Sequence, residues 1–180
     1  MEDVARAQEL LAEAGFSGGE GFPELTYTYP NSEKDALLAQ GIQAQLKQNL
    51  GINIKLNGVE TQVYSIERSE GTYELIRHSW TADYNDPINF LNLYTAYSGG
   101  NFNHVNDPEY DELIEKSNSA TDPAERNTYL HQADRVLVGE NFYVIPVTTQ
   151  VYICLMNPGL TGVTVNEKGE PMYRFADLTE

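Results

Sequence analysis

The amino-terminal part of the chain alternates between short apolar segments with strand character and longer segments with helical spacing. Leu25–Tyr29, Ile52–Leu56 and Tyr73–Ser79 carry the aromatic and branched apolar residues that strands favour. Between them, residues 32–50 and 61–69 place apolar side chains at helical spacing. Strands alternating with helices require right-handed crossovers and form a mainly parallel sheet flanked by helices. The order of the segments therefore predicts an α/β fold.

Capping residues mark the ends of several predicted helices. An opening helix is expected over residues 4–14, and Ser32 suits the N-cap of the next helix because its hydroxyl can accept a hydrogen bond from a backbone amide. Gly51 stands where that helix needs a left-handed C-cap. Downstream, Asp107 and Asp122 are each followed by a proline and, within three residues, a glutamate. The helix dipole favours this order, so we interpret both aspartates as caps.

The carboxy-terminal part has the composition of strands and turns. Residues 142–156 form a long run that is expected to be rich in β-structure, and strand character returns at Gly162–Val165 and Met172–Phe175. Val151–Met156 is apolar, and an unpaired apolar edge seeks strand partners. We expect this run to fold back on its own domain, to pair with a second copy, or to be held less firmly than the core.

Charge and composition exclude two classes of protein. The chain carries a formal net charge of −16 with its acidic residues scattered, whereas nucleic-acid binding requires a basic surface. No apolar run approaches the roughly 20 residues that cross a membrane, and no secretory signal peptide opens the chain. These features predict a globular protein that binds no nucleic acid.

Metal, cofactor and catalytic sites lack the residue patterns that they require. The three histidines show no metal-ligand spacing, and the single cysteine, Cys154, cannot form an internal disulfide. Residues 83–86 begin like a calcium loop, but Pro87 and Ile88 stand where a ligand and a glycine are needed. The glycine patterns of nucleotide-binding loops and of hydrolase nucleophile elbows do not occur. The sequence predicts no metal, no cofactor and no enzymatic activity.

The segment HSWTADYNDP, residues 78–87, places the chain's only tryptophan three residues before an aspartate, where the third predicted strand ends. Open parallel sheets bind ligands in the crevice beyond the carboxyl ends of their strands. This position favours a ligand-binding role for Asp83. Two alternatives stay open, since Asp83 could cap the following helix or close an Asx-turn, and Trp80 could be a core aromatic as readily as a cleft wall.

Several motifs resemble one family of transport proteins. The runs SWTADYNDPINFL, GGNFNHVNDPEYDELI, DPAERNTYLHQADRVLV, VIPV and PGLTGV occur in the order found in the solute-binding proteins of peptide ABC importers, extracellular solute-binding protein family 5. The opening AQELLAEAGF is similar to the helix that precedes this region in the family. The resemblance implies a class II periplasmic-binding-protein-like fold. It covers one of two lobes, with residues 1–150 as the second lobe and 151–180 as a segment returning toward the first.

The resemblance also implies a function. Such receptors capture short peptides between two lobes outside the cytoplasm and deliver them to the permease subunits of the importer. A first lobe and a signal or lipoprotein leader are then expected upstream of Met1, and the membrane would be met only through that leader and the permease. The 180-residue chain alone is expected to fold without binding peptide usefully, since one face cannot enclose a ligand. The alternatives are a receptor for a nickel chelate, sugar or opine, and an acidic protein-interaction module.

In family members that bind short peptides, the aspartate of a Trp-x-Ala-Asp motif holds the ligand's α-ammonium. The run from Trp80 to Asp83 matches that motif residue by residue. The resemblance therefore implies this role for Asp83, with Trp80, Ala82 and Tyr84 as further ligand-binding residues. Some relatives have a cysteine where Thr81 stands, so a disulfide at that position is excluded here.

Two arginines are candidates for the other end of the peptide. Some members of the family place arginines for the peptide carboxylate on the strand and on the helix that precede the motif. Arg77 and Arg68 align with these positions without gaps. The planar guanidinium suits a carboxylate because it can donate two parallel hydrogen bonds.

Overall fold

The computed structural model describes residues 3–149, 151 and 153–179, and the chain forms two compact units, Met1–Ser79 and Trp80–Glu180. The division falls where the third predicted strand ends. The boundary that the family resemblance predicted, after residue 150, is a different one. It separates the second lobe of a longer receptor from the segment that returns toward the first lobe. Within the described part of the chain, no helix is both long and apolar enough to span a membrane.

The first unit is a three-stranded parallel sheet with helices. Its elements in chain order are α1 (Val4–Glu13), β1 (Leu25–Pro30), α2 (Glu33–Leu50), β2 (Ile54–Val59), α3 (Thr61–Glu70) and β3 (Leu75–Ile76). The strand order is β2-β1-β3, and both neighbours of β1 run parallel to it. The α/β class and the parallel sheet predicted from the sequence are confirmed.

The core of the first unit lies between the sheet and α2. Tyr27 and Tyr29 alternate along β1 onto the same face, where they pack with the fully buried Ala39 of α2. The α2 helix has the predicted ends. The Ser32 hydroxyl accepts a hydrogen bond from the backbone amide of Asp35, and Gly51 adopts φ 72° at the C-cap. The sequence predicted these local features because capping depends on residues close together in the chain.

The two outer strands differ in length from the predictions. β2 starts at Ile54 and extends to Val59, because its register along β1 runs from the pair Leu25–Ile54 to the pair Pro30–Val59. β3 keeps only Leu75 and Ile76 of the longer run that we predicted. Pairing with a partner decides where a strand ends, and apolar composition alone does not determine that pairing.

The second unit packs its helices around an apolar core. Its helices are α4 (Ile88–Leu91), a 3₁₀ turn (Asn92–Tyr94), α5 (Pro108–Ser119), and α6 (Pro123–Asp134), which continues as a π-helical segment (Arg135–Glu140). Tyr110, Ile114 and Ala133 are completely buried. Both predicted caps are confirmed, since the Asp107 carboxylate accepts from two backbone amides of α5 and that of Asp122 from one of α6.

The carboxy-terminal residues form two small antiparallel ribbons. β4 (Leu160–Thr161) pairs with β7 (Asp177–Leu178), and β5 (Thr164–Val165) pairs with β6 (Pro171–Met172). The predicted run Gly162–Val165 contains β5, whereas the predicted run Met172–Phe175 shares only Met172 with β6.

The prediction of β-structure over residues 142–156 is wrong for the described residues of that run, none of which is in a strand. Ile153 and Leu155 are 85% and 97% exposed, so these side chains do not fold back on a core. Gln150 and Tyr152, also within the run, lie outside the described residues. A sequence with high strand propensity forms a strand only where another strand offers its backbone groups.

Candidate functional site

The tryptophan–aspartate motif forms an irregular segment at the start of the second unit, ahead of α4. Trp80 and Tyr84 are 42% and 54% exposed, Asp83 is exposed and Ala82 is half-buried. Trp80 is therefore not a core residue. The motif presents two aromatic rings and one carboxylate on the surface of its unit.

Asn89, in the first turn of α4, is hydrogen-bonded to two residues of this motif. Its side chain is buried, and its Oδ1 accepts hydrogen bonds from the indole Nε1 of Trp80 at 2.8 Å and from the backbone N–H of Asp83 at 3.2 Å. Both partners are donors, so the amide oxygen must face them. We did not single out Asn89 from the sequence. Its only signal was a polar residue between Ile88 and Leu91 on a short apolar helix.

The carboxylate of Asp83 accepts no hydrogen bond from any described residue. The N-cap position of α4 is Pro87, and the carboxylate next to the start of the helix is that of Asp86, whose Oδ1 accepts from the backbone amide of Ile88 at 2.9 Å. The alternative that Asp83 is a helix cap is therefore wrong. Its backbone is held by Asn89, while its charge has no internal partner in the described part of the chain.

A second contact ties the turn after the motif to α6. Arg126 Nη2 lies 2.9 Å from Asp86 Oδ1, and both side chains are half-buried. The hydrogen bond from Arg126 is the main cause that lowers the pKa of Asp86, helped by the Ile88 amide, while desolvation opposes it. Asp86 is thus ionised at neutral pH and anchors the turn.

This ion pair predicts a pH-dependent contribution to stability. Because the pKa of Asp86 is lower in the folded protein, its contribution is present above the usual aspartate pKa of about 4 and is lost as pH falls through the folded value. Asp86→Asn keeps a side-chain oxygen that can accept from the Ile88 amide but removes the charge. Urea unfolding at pH 7 and at pH 3 should show a deficit for Asp86→Asn at pH 7 that shrinks at pH 3.

The matched control is Glu112→Gln, which removes the charge of an exposed carboxylate paired with Lys116 on α5. Exposed pairs contribute little, so this variant should differ from the wild type only slightly at either pH. An equal deficit for Asp86→Asn at both pH values would contradict the assigned role of the charge.

In the first unit, Arg77 lies in a polar cluster where β3 ends. Its Nε is 2.9 Å from Asp35 Oδ1, its Nη1 donates to Ser79 Oγ at 2.7 Å, and its carbonyl accepts from the Tyr64 hydroxyl at 2.6 Å. Asp35 Oδ1 has no well-aligned hydrogen bond among the described residues, so its contact with Arg77 is ionic. The Asp35 carboxylate also accepts from the Ser32 hydroxyl. Sequence reasoning missed Asp35, 42 positions from Arg77.

Arg68 and Arg77 both affect the pKa values of Tyr64 and His78. The Arg68 guanidinium carbon is 5.4 Å from the centre of the Tyr64 ring, a cation–π distance. Burial raises the pKa of Tyr64, and both arginines oppose that rise. Burial also lowers the pKa of His78, and both arginines lower it further. The structure therefore brings the two predicted arginines together in the first unit, whereas Trp80, Ala82, Asp83 and Tyr84 belong to the second.

Metal binding has no visible basis in the described residues. Among residues 3–149, 151 and 153–179, no group of three histidine, cysteine, aspartate or glutamate side chains could hold an ion. Cys154 is exposed.

The sequence matches one family model and is similar to two characterised binding proteins. A family model described as "Bacterial extracellular solute-binding proteins, family 5 Middle" matches residues 1–102. The chain is 31% identical to the periplasmic murein peptide-binding protein MppA of Escherichia coli, over 94% of this chain and 31% of that protein. It is 31% identical to the oligopeptide-binding protein OppA of Bacillus subtilis, over 97% of this chain and 33% of that protein. The chain thus spans about a third of the length of these relatives.

A solved structure shares the fold. OppA of Haemophilus influenzae, in complex with RPPGFSPFR, is 29% identical to this chain and matches it with a TM-score of 0.77. The match covers 88% of this chain and 31% of that one. This likeness confirms the fold class predicted from the sequence.

Proposed function

We propose, from the premise that this chain belongs to the bacterial extracellular solute-binding proteins of family 5, that it forms part of the substrate-binding component of an ABC-type peptide importer. The family model matches 102 of the 180 residues, which confirms the membership predicted from the motifs. The receptor would capture a short peptide in a cleft and deliver it to the permease subunits. In this proposal residues 1–150 belong to its second lobe and 151–180 to a returning segment.

One observation carries the proposal. The Asp83 carboxylate sits on a backbone that Asn89 holds in place, beside the exposed ring of Trp80, without an internal hydrogen bond in the described part of the chain. A peptide's α-ammonium can supply the missing partner through charge-assisted hydrogen bonds. The names of the relatives, a murein peptide-binding and an oligopeptide-binding protein, support a peptide ligand.

The setting follows from the family, whose members are extracellular proteins, and the chain works outside the cytoplasm. We propose no catalytic role, because the family is one of binding proteins. We also propose no nucleic-acid partner, since the net charge of −16 repels phosphate backbones.

The direct test is to identify what the protein carries. The protein as the cell makes it is purified without denaturation, acidified, and the released solutes are analysed by mass spectrometry. We expect a mixture of short peptides with free amino termini. A metal chelate, a sugar or an opine in stoichiometric amount would replace this function with a different solute class.

The peptide carboxylate provides a second prediction. Arg68 and Arg77 stay proposed anchors for it, although two nitrogens of Arg77 already contact Asp35 and Ser79. Hydrogen bonds to charged groups contribute about 1.5–3 kcal/mol, so amidating the peptide should weaken binding by roughly 10- to 100-fold. In Arg68→Met, titration calorimetry should give nearly equal affinities for the free and amidated peptides if Arg68 is the anchor.

The control is Arg6→Met, which removes an exposed arginine from α1 of the same unit and should keep the preference for the free carboxylate. Arg77 is tested together with Asp35→Asn, so that its removal leaves no unpaired carboxylate behind. Equal affinity of the wild type for free and amidated peptides would exclude both arginines.

A further inference from the structure

We propose that Asn89 is a positioning residue of the candidate site, whose side-chain oxygen holds Trp80 and the Asp83 backbone in the geometry that receives a peptide's amino terminus. The inference rests on the proposed function and extends it by naming what prepares the site before the ligand arrives. Asn89 would touch no ligand itself.

The burial of Asn89 is the first support. The residue is 8% exposed and lies between Ile88 and Leu91, which are also buried. A buried amide is destabilising unless its polar atoms are hydrogen-bonded. Both donors to Asn89 Oδ1 belong to the tryptophan–aspartate motif, so the buried oxygen serves that motif.

The shape of the hydrogen-bonded loop is the second support. The two bonds reach back nine and six residues, and together they fix the indole and the backbone amide of Asp83 from a single point. Asp86 holds the rest of the turn through Arg126 and the Ile88 amide. A segment ordered before binding loses less conformational entropy when the ligand arrives, which increases affinity.

The third support is that Asn89 leaves the Trp80 ring and the Asp83 carboxylate available to a ligand. The indole N–H of Trp80 is satisfied by Asn89, yet 42% of the residue stays exposed. The Asp83 backbone is fixed, yet its carboxylate has no hydrogen bond to any described residue. Asn89 therefore accepts hydrogen bonds from the indole N–H and from the Asp83 backbone amide. It leaves the indole ring and the Asp83 carboxylate available to a ligand.

Two variants and a control test this role. Asn89→Leu removes the accepting oxygen at similar size, and Asn89→Asp keeps an accepting oxygen. The control, Asn92→Leu, makes the same substitution at an exposed position in the following 3₁₀ turn. Far-UV circular dichroism and thermal unfolding first establish that each variant is folded.

The first readout needs no ligand. Trp80 is the only tryptophan of the 180-residue chain, so its fluorescence reports this site alone. We expect a red-shifted emission and lower anisotropy in Asn89→Leu, and values close to the wild type in Asn89→Asp and Asn92→Leu. Unchanged fluorescence in a folded Asn89→Leu would overturn the inference.

The second readout is the affinity, measured by calorimetry on the protein as the cell makes it, for one tripeptide with a free and with an acetylated amino terminus. Asn89→Leu should weaken binding of the free form by about tenfold or more and leave binding of the acetylated form unchanged. Equal weakening of both forms would show that Asn89 only stabilises the fold, and would overturn the inference.

The proposed function and this inference fail in different ways. If the wild type binds no peptide, the proposed function is overturned and the inference with it. If the wild type binds peptide and Asp83→Ala weakens binding, while Asn89→Leu does not, only the inference is overturned.

Discussion

Replacing Asp83 with alanine is expected to weaken binding of a peptide with a free amino terminus by about 10²- to 10³-fold or more. In the proposed cleft of the receptor the ion pair between Asp83 and the ligand would be enclosed. Leaving one charge of an enclosed ion pair without its partner costs about 3–5 kcal/mol, and each 1.4 kcal/mol is a factor of ten in affinity. The carboxylate has no hydrogen bond to any described residue, so the peptide's ammonium would be its main partner. Titration calorimetry with the protein as the cell makes it measures the loss.

Asp83→Asn separates charge from shape in this experiment. It keeps the side chain's size and leaves the backbone amide free to donate to Asn89, so its loss should approach that of Asp83→Ala if charge dominates. The control Glu115→Gln removes one exposed negative charge from α5 of the same unit and should bind like the wild type. Unchanged affinity in Asp83→Ala would remove Asp83 from the site.

Replacing Arg77 with methionine is expected to destabilise the first unit by about 3–5 kcal/mol. The Arg77 and Asp35 side chains are only 16% and 12% exposed, so the substitution leaves a nearly buried carboxylate without its cation. Urea unfolding followed by far-UV circular dichroism measures the free energy. Hydrogen exchange of the β1 amides shows whether the loss falls in the sheet of the first unit.

A double-mutant cycle identifies the cause. Asp35→Asn combined with Arg77→Met should recover much of the stability lost in Arg77→Met, because the uncompensated charge is gone. The control Arg6→Met breaks ion pairs in which the arginine is 51% exposed and should cost at most about 1 kcal/mol. A loss below about 1 kcal/mol in Arg77→Met would show that Asp35 is adequately solvated without it.

The results for Asp83 and Arg77 would assign different roles to two residues that the family resemblance predicted to bind the ligand. Asp83 has an exposed carboxylate on a fixed backbone, as a ligand-binding group requires. Arg77 has most of its guanidinium committed to Asp35 and Ser79. A strong effect of Arg77 on peptide binding therefore has to be separated from its effect on folding.

The candidate site was only partly predictable. The sequence pointed to Asp83 because it follows a predicted strand and lies in a motif shared with a family, although β3 ends at Ile76 and Asp83 lies in the second unit. It did not point to Asn89, Asp86 or Arg126, which hold the motif in place. Arg126 is 40 residues from Asp86, and no local pattern indicates such a pairing.

The sequence by itself determined the α/β order, the helix caps and the family. Apolar spacing and caps such as Ser32, Asp107 and Asp122 act between residues a few positions apart, so they can be read along the chain. Only the tertiary structure decided which strand ends were paired, that residues 142–156 contain no strand where they are described, and which polar groups met. Those outcomes depend on partners distant in the chain, because hydrogen bonds and ion pairs form only where folding brings two groups together.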